Sequence, residues 1–238
     1  WSAGWWRADS MVLVLFDVDG TLLRSRGVGL KSMQEAIRII HGAEVDPSRL
    51  QTGGRLDHHL FRELLELGDL PADPVAVGRL QDVYIDRMRH HFRNDTWSNS
   101  LQGAHELVRR VHEDDTLCSA VLTGNIEETC RLKLVDAGFE EDWFEFGVYG
   151  DEGTHRRELP AIGLDRYRRA RGEELSPERA VIIGDTPHDV DCALHCGCRV
   201  IGVSTGMSSR ETLEESGAGL VVDSLVEHEL IIDWMKRR

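Results

Sequence analysis

Five short apolar runs constrain the fold of this chain more than any other feature of the sequence. They are bounded by polar or glycine-containing turns and lie at Val12–Phe16, Ser119–Leu122, Ala180–Ile183, Arg199–Val203 and Leu220–Val222. Runs of this length are typical of strands that are buried on both faces of a parallel sheet. Helical patterns, with apolar residues recurring every three or four positions, lie between the later runs. This alternation predicts an α/β fold with a doubly wound parallel sheet.

The segment 27–93 breaks the alternation because it contains helical patterns only. These patterns lie at Leu30–His41, Leu56–Leu67 and Val75–Phe92. We therefore predict a small helical domain at 27–93, inserted after the first strand, and a core domain made of 11–26 and 94–238. The polar stretches Arg24–Gly29 and Arg93–Gly103 suit hinges between the two. An insertion at this point would lie over the carboxyl ends of the strands, where ligands bind in open α/β sheets.

The net charge of the chain argues against some classes of binding partner. Lys and Arg number 28 against 42 Asp and Glu, a net charge of −14, so the chain would repel a polyanion on average. We expect no nucleic acid and no membrane as partner, and a monomer or dimer. Residues 1–10 lack the apolar run of a signal peptide and are interpreted as an N-terminal extension. The odd number of cysteines, 5, favours a reducing, cytoplasmic location.

Two carboxylates, Asp17 and Asp19, come directly after the first predicted strand. Because side chains alternate along an extended chain, both point the same way and share one small site. Such a pair repels itself unless a cation is bound or one carboxyl holds a proton. One carboxylate can then attack phosphorus while its neighbour acts as acid and base. Asp17 is the candidate nucleophile and Asp19 the candidate acid and base; a strand end capped by turn-forming residues is the alternative.

The full string DVDGTLL, residues 17–23, resembles the first motif of the haloacid dehalogenase-like hydrolases. The resemblance covers the chain from about residue 12 to its end and points to the branch of phosphoglycolate phosphatase and β-phosphoglucomutase. It implies a Rossmann-like core, a helical cap and a phosphoric monoester hydrolase.

The second motif of that family places a Ser or Thr at the end of the next core strand, where Thr123 is followed by Gly124 and Asn125. The resemblance implies that these residues bind phosphate, through a hydroxyl and backbone amides near a helix start. An ordinary helix N-terminal turn is the alternative.

The fourth motif is an acidic pair after a later strand, and Asp185 and Asp189 match it. The resemblance places Asp185 around Mg²⁺ with Asp17 and the backbone carbonyl of Asp19, since hard oxygen ligands suit this ion. Asp189 would support the metal waters or the basic residue; it would otherwise serve as a helix N-cap.

The third motif is a Lys or Arg that neutralises the nucleophile and the phosphoryl group. Arg156 and Arg157 precede Glu158-Leu159, and the R-x-E-L form of some phosphatase members favours Arg156. The competitor is Lys133, which lies in the middle of a predicted helix, so we expect a solvated or snorkelling side chain there.

A glycine-rich turn in the insertion, Thr52-Gly53-Gly54-Arg55-Leu56-Asp57, resembles the G-x-T-D stretch in caps of phosphoglycolate phosphatase-like members, with Leu56 replacing Thr. We expect Arg55 to meet an anionic substrate group when the cap closes. A loop arginine, with Asp57 as helix N-cap, is the alternative. A small cap implies a small phosphorylated metabolite as substrate.

Single residues help to distinguish a phosphatase from the other activities of the family. Asp19 and Asp185 argue against a dehalogenase, and a phosphonate hydrolase would use a Schiff-base Lys in the insertion, where only Lys31 is present. A phosphosugar mutase has the same two aspartates as a phosphatase. A non-catalytic phosphate-binding relative would not need three converging carboxylates.

Overall fold

A computed structural model describes residues 11–237, so the extension expected at residues 1–10 lies outside the described residues. The strands are β1 Val12–Phe16, β2 Leu23–Ser25, β3 Ser98–Ser100, β4 Leu117–Leu122, β5 Phe146–Val148, β6 Ala180–Gly184, β7 Arg199–Val203 and β8 Leu220–Val222. The helices are α1 Val28–His41, α2 Asp57–Leu67, α3 Pro74–Asn94, α4 Ala104–His112, α5 Glu127–Asp136, α6 Leu159–Arg171, α7 Pro187–Cys196, α8 Arg210–Glu215 and α9 His228–Lys236. Within residues 11–237, no helix is both long enough and apolar enough to cross a membrane.

The main sheet has six parallel strands in the order β5-β4-β1-β6-β7-β8. From β1 the chain runs outward through β4 and β5 on one side, then returns to build β6, β7 and β8 on the other. The strand order therefore reverses at β1, which opens a crevice at the carboxyl ends of the central strands. The doubly wound α/β sheet predicted from the apolar runs is confirmed.

All five predicted strands are present, and the edge strand β5 is an addition. Its three residues, Phe-Gly-Val, pair with β4 at the border of the sheet. A run this short, with a glycine at its centre, carries too little apolar pattern to be distinguished from a loop.

The segments expected to serve as hinges are more ordered than the sequence suggested. Strands β2 and β3 form an antiparallel pair below the insertion, and the N–H of Arg26 donates to the carbonyl of Trp97 at 2.8 Å. Asp136 of α5 accepts from the backbone N–H groups of Trp97 at 2.8 Å and Ser98 at 2.6 Å. The strands are short and mostly polar, so apolar alternation could not reveal them.

Helices α1, α2 and α3 fill the insertion and share an apolar cluster that also includes Ile126, the residue before α5. Phe61 and Tyr84 lie at its centre, with ring centroids 5.0 Å apart in an edge-to-face arrangement. The helical content expected for 27–93 is thus present, while the division of the chain into two domains at these residues stays a prediction.

Central strand β1 is fully buried along its whole length, because helices cover both faces of the sheet. We expect Leu15→Ala in β1 to lower the free energy of unfolding by about 2–5 kcal/mol, through lost burial and a residual cavity. Leu194→Ala on α7, where the side chain is 51% exposed, should change it by less than about 0.5 kcal/mol. Urea denaturation of both variants measures the difference, and similar losses would contradict this account of the core.

Candidate active site

The candidate site lies where the three central strands end. Asp17 follows β1, Thr123 follows β4 and Asp185 follows β6. The last residue of β1, Phe16, is paired with both neighbouring strands, so the three strand ends are level. Sheet register therefore brings side chains that are far apart in sequence to one edge of the sheet.

Arg156 binds two buried carboxylates at this edge. Its Nη2 donates to Oδ1 of Asp17 at 2.8 Å and to Oδ1 of Asp189, and all three side chains are at most 8% exposed. The next residue, Arg157, is 55% exposed and pairs with Asp191 at 2.7 Å on the surface. The structure thus brings Arg156, and not Arg157, to the candidate nucleophile.

The second aspartate, Asp19, lies in a separate network. Its Oδ2 accepts from Nζ of Lys133 at 2.7 Å and from Nδ2 of Asn125 at 2.7 Å, while its Oδ1 accepts from the Ser25 hydroxyl at 3.1 Å. Lys133 also donates to Oδ1 of Asn125 at 2.6 Å. The two aspartates of the first motif therefore each have a basic partner of their own.

The expectation of a solvated Lys133 is wrong, since its side chain is only 7% exposed. On α5 it shares the buried face with Thr129 and Cys130, four and three positions earlier. That spacing was the available signal, but a Lys within a helix is usually solvated. Burial acts against the charge of Lys133, yet the nearby carboxylates outweigh it and raise its pKa, so it stays protonated.

The surroundings of the three carboxyls raise the pKa of Asp17 and Asp185 and lower that of Asp19. Burial raises the pKa of Asp17 well above its usual range, and the charge of Asp189 raises it further against the opposing effect of Arg156. Burial and Asp189 likewise raise the pKa of Asp185 to about 7. Burial would also raise the pKa of Asp19, but Lys133, by charge and hydrogen bond, brings it below the ordinary value.

The carboxylates fit a divalent cation. One oxygen from each of Asp17, Asp185 and Asp189 lies within 4.8 Å of the others, and all three residues are buried. Asp189 is already bound, because it accepts from Arg156 and from the N–H and hydroxyl of Thr186 at the start of α7. Asp17 and Asp185 are therefore the better candidates for direct ligands.

Two glycines allow the chain to pass close to Asp185. A Cβ on Gly206 would lie 1.6 Å from Oδ2 of Asp185, and one on Gly20 would lie 2.4 Å from the same atom. Gly20 also has a positive φ of 91°, a conformation that other residues rarely adopt. Any side chain at either position would displace this carboxylate.

The second-motif loop offers a hydroxyl for phosphate. Thr123 is buried, and its Oγ1 accepts from the N–H of Asn125 at 3.3 Å and from its side-chain Nδ2 at 2.8 Å. These bonds use the oxygen as acceptor and leave its proton to donate. The side chain of Asn125 is committed to Thr123, Asp19 and Lys133, so it supports neighbouring groups more directly than it offers donors to a ligand.

The buried Nε of Arg156 has no hydrogen-bond partner within the described part of the chain. An unpaired buried donor is costly, so its presence beside the candidate nucleophile favours an anionic ligand at this point. Phosphate binding by Thr123, Gly124, Asn125 and Arg156 stays a prediction that this geometry supports.

The cap contacts the second-motif loop directly. The N–H of Asp57, the first residue of α2, donates to the carbonyl of Gly124 at 2.9 Å, and its carboxylate accepts from the N–H of Ile126 at 3.0 Å. Burial raises the pKa of Asp57 to about 6. The sequence suggested a helix N-cap at Asp57, whereas its side chain bonds across to the core.

Arg55, the cap residue expected to meet the substrate, lines the same cavity but is already paired. Its Nη1 donates to Glu63 at 2.5 Å and to the carbonyl of Gln51 at 3.3 Å. Its role in substrate binding stays a prediction, and it would require the Glu63 pair to be shared or exchanged.

A cavity of about 390 Å³ lies between cap and core. Asp17, Asp19, Lys133 and Arg156 are among its lining residues on the core side. The volume is in the range of small-molecule sites.

Comparison with known proteins identifies the family. A model of the haloacid dehalogenase-like hydrolases matches residues 14–203. A phosphoglycolate phosphatase from Chromobacterium violaceum is 26% identical over 227 residues, which is 94% of this chain and 96% of that protein.

Two solved structures share the fold. CbbY from Rhodobacter sphaeroides in complex with phosphate superposes with a TM-score of 0.73 at 18% identity, covering 91% of this chain and 96% of the other. β-Phosphoglucomutase from Clostridium difficile superposes with a TM-score of 0.66 at 17% identity, covering 94% and 97%. The enzyme class and the family expected from the sequence are thus confirmed, and the chain belongs to the haloacid dehalogenase-like hydrolases.

Proposed function

We propose that this protein is a Mg²⁺-dependent phosphatase that hydrolyses a small phosphorylated metabolite through an aspartyl-phosphate on Asp17. The observation that carries the proposal is the buried Asp17–Arg156 pair at the end of β1, beside Asp185 and the free Nε of Arg156. A carboxylate, a basic group and a cation site at one point match the needs of phosphoryl transfer.

In the first step, Oδ2 of Asp17 attacks phosphorus while Arg156 holds Oδ1 at 2.8 Å. The bond from phosphorus to the ester oxygen breaks, and this oxygen takes a proton from Asp19, which reacts here in the minor protonated form that the charge of Lys133 disfavours. In the second step, water attacks the same phosphorus and gives a proton to Asp19. The bond from phosphorus to Asp17 then breaks, and its electron pair returns to the carboxylate.

The charges of the site support a divalent ion. Four carboxylates (Asp17, Asp19, Asp185 and Asp189) face two cations (Arg156 and Lys133), which leaves two negative charges in excess when all are ionised. Asp17, Asp185 and the backbone carbonyl of Asp19 would hold Mg²⁺, with Asp189 in support. When bound, the ion supplies positive charge that offsets the transferring phosphoryl group.

The cavity supports a compact leaving group. Leu30, Met33, Leu60 and Tyr84 are among the lining residues that the helical insertion contributes. Phosphoglycolate and sugar phosphates are both within the size limit.

The proposal is tested by phosphate release from small esters, including phosphoglycolate and sugar phosphates, with and without Mg²⁺. We expect release only with Mg²⁺, and a loss of at least about 10³-fold in Asp17→Asn, because the amide cannot act as nucleophile. Asp191→Asn on the surface is the matched control and should keep normal activity. Conversion of a sugar phosphate to its isomer without phosphate release would instead establish a mutase, and inactivity with every ester would remove the phosphatase proposal.

The two adjacent arginines provide a second test. We expect Arg156→Met to lower kcat/KM on the order of 10²–10³-fold, since it removes a buried donor to the nucleophile and phosphate. Arg157→Met removes an exposed ion pair and should leave kcat/KM within about twofold. Equal losses of kcat/KM in both variants would contradict the assignment of Arg156 alone to the active site.

Magnesium binding should depend on pH. Mg²⁺ binds the ionised form of Asp185, whose pKa is about 7, so protons compete more strongly as the pH falls. We expect the apparent Kd for Mg²⁺ to rise between about pH 8 and pH 6, approaching tenfold per pH unit below the pKa. Calorimetric titration measures this, with Asp185→Asn as the variant that should lose binding. A Kd that is constant across this range would contradict direct ligation by Asp185.

A further inference from the structure

The two buried cations of the site serve different aspartates. Arg156 contacts Asp17, whereas Lys133 contacts Asp19 at 2.7 Å and comes from another helix. The role of Arg156 follows from the proposed function. Lys133 enters that scheme only as a charge and has no part in either chemical step, although a buried Lys is costly unless its environment needs the charge.

Lys133, Asn125 and Asp19 form a closed triangle of hydrogen bonds. Lys133 donates to both partners at 2.7 and 2.6 Å, and Asn125 donates to Asp19 at 2.7 Å. With the Ser25 hydroxyl on its other oxygen at 3.1 Å, the Asp19 carboxylate receives three donors in fixed directions. A side chain bound at this many points has little freedom to rotate.

The triangle is arranged with the carboxylate toward the cavity. Both residues line the cavity, but the side chain of Asp19 is 41% exposed and that of Lys133 is only 7% exposed. The carboxylate is therefore the more accessible of the two groups to a leaving group or a water molecule.

We infer that Lys133 is a positioning residue that holds Asp19 where it takes a proton from the water that hydrolyses the aspartyl-phosphate. The inference rests on the proposed function and adds a residue to it. In this step the water oxygen bonds to phosphorus, the phosphorus–Asp17 bond breaks, and the water proton moves to Asp19. A misplaced Asp19 would slow this step for every substrate, because the same intermediate is formed from each.

An aryl ester separates the two steps. Nitrophenolate leaves as a stable anion, so formation of the aspartyl-phosphate from nitrophenyl phosphate needs little help from Asp19, whereas its hydrolysis needs the base. For Lys133→Met we expect formation within about threefold of wild type and hydrolysis slowed on the order of 10²-fold. Rapid-quench measurement of nitrophenolate and of trapped phosphoenzyme gives both rates. Lys236→Met, which removes an ion pair with Asp114 on the surface, should change neither.

A double variant tests whether Lys133 acts through Asp19. If it does, Lys133→Met should slow hydrolysis little further in an Asp19→Asn background. Independent, multiplicative losses would overturn the inference, as would equal slowing of both steps in the single variant. Should Lys133→Met fail to fold, as judged by circular dichroism, Ser25→Ala removes another donor to Asp19 and should slow hydrolysis selectively by about tenfold. Absence of any phosphoenzyme in the wild type would instead remove the proposed function itself.

Discussion

The rest of the structure depends on several carboxylates packed together at the carboxyl end of one parallel sheet. Each buried, unpaired carboxylate costs several kcal/mol, so the cluster exists only because other elements supply positive charge. The 3₁₀ turn before α6 supplies Arg156, and α5 supplies Lys133. Because the remaining charge is negative, the Mg²⁺ of the proposed function would stabilise the folded site as well as take part in its chemistry.

The cap is joined to this cluster through the backbone of the second-motif loop. Asp57 holds the loop by two hydrogen bonds, at 2.9 and 3.0 Å, and a Cβ on Gly124 would lie 2.0 Å from the carbonyl of Arg55. The loop that carries Thr123 is therefore held in part by residues of the insertion. The same contacts that border the cavity on this side also position the candidate phosphate site.

The sequence was most informative where local pattern and chemistry coincide. Strand ends followed by Asp17, Thr123 and Asp185 could be predicted because a buried strand has a clear apolar pattern and parallel strands end at one edge. The contacts of Lys133 and Asp57 could not be predicted, because each residue type has an ordinary local explanation. A lysine within a helix is usually on the surface, and an aspartate at a helix start is usually an N-cap. Their partners are 114 and 69 residues away, and only the packing of α5 and α2 against the loop reveals them.

The choice of Arg for one aspartate and Lys for the other follows from the chemistry that each serves. Arg156 binds Asp17 and Asp189, and its Nε has no partner among the described residues. A planar guanidinium with several donors can hold carboxylates and still donate to the oxygens of a phosphoryl group. In the proposed mechanism Asp19 exchanges a proton, so it needs a fixed direction more than a second planar partner. The compact ammonium of Lys133 meets that need from within a helix, where the Asn125 amide accepts one of its bonds and fixes it toward Asp19.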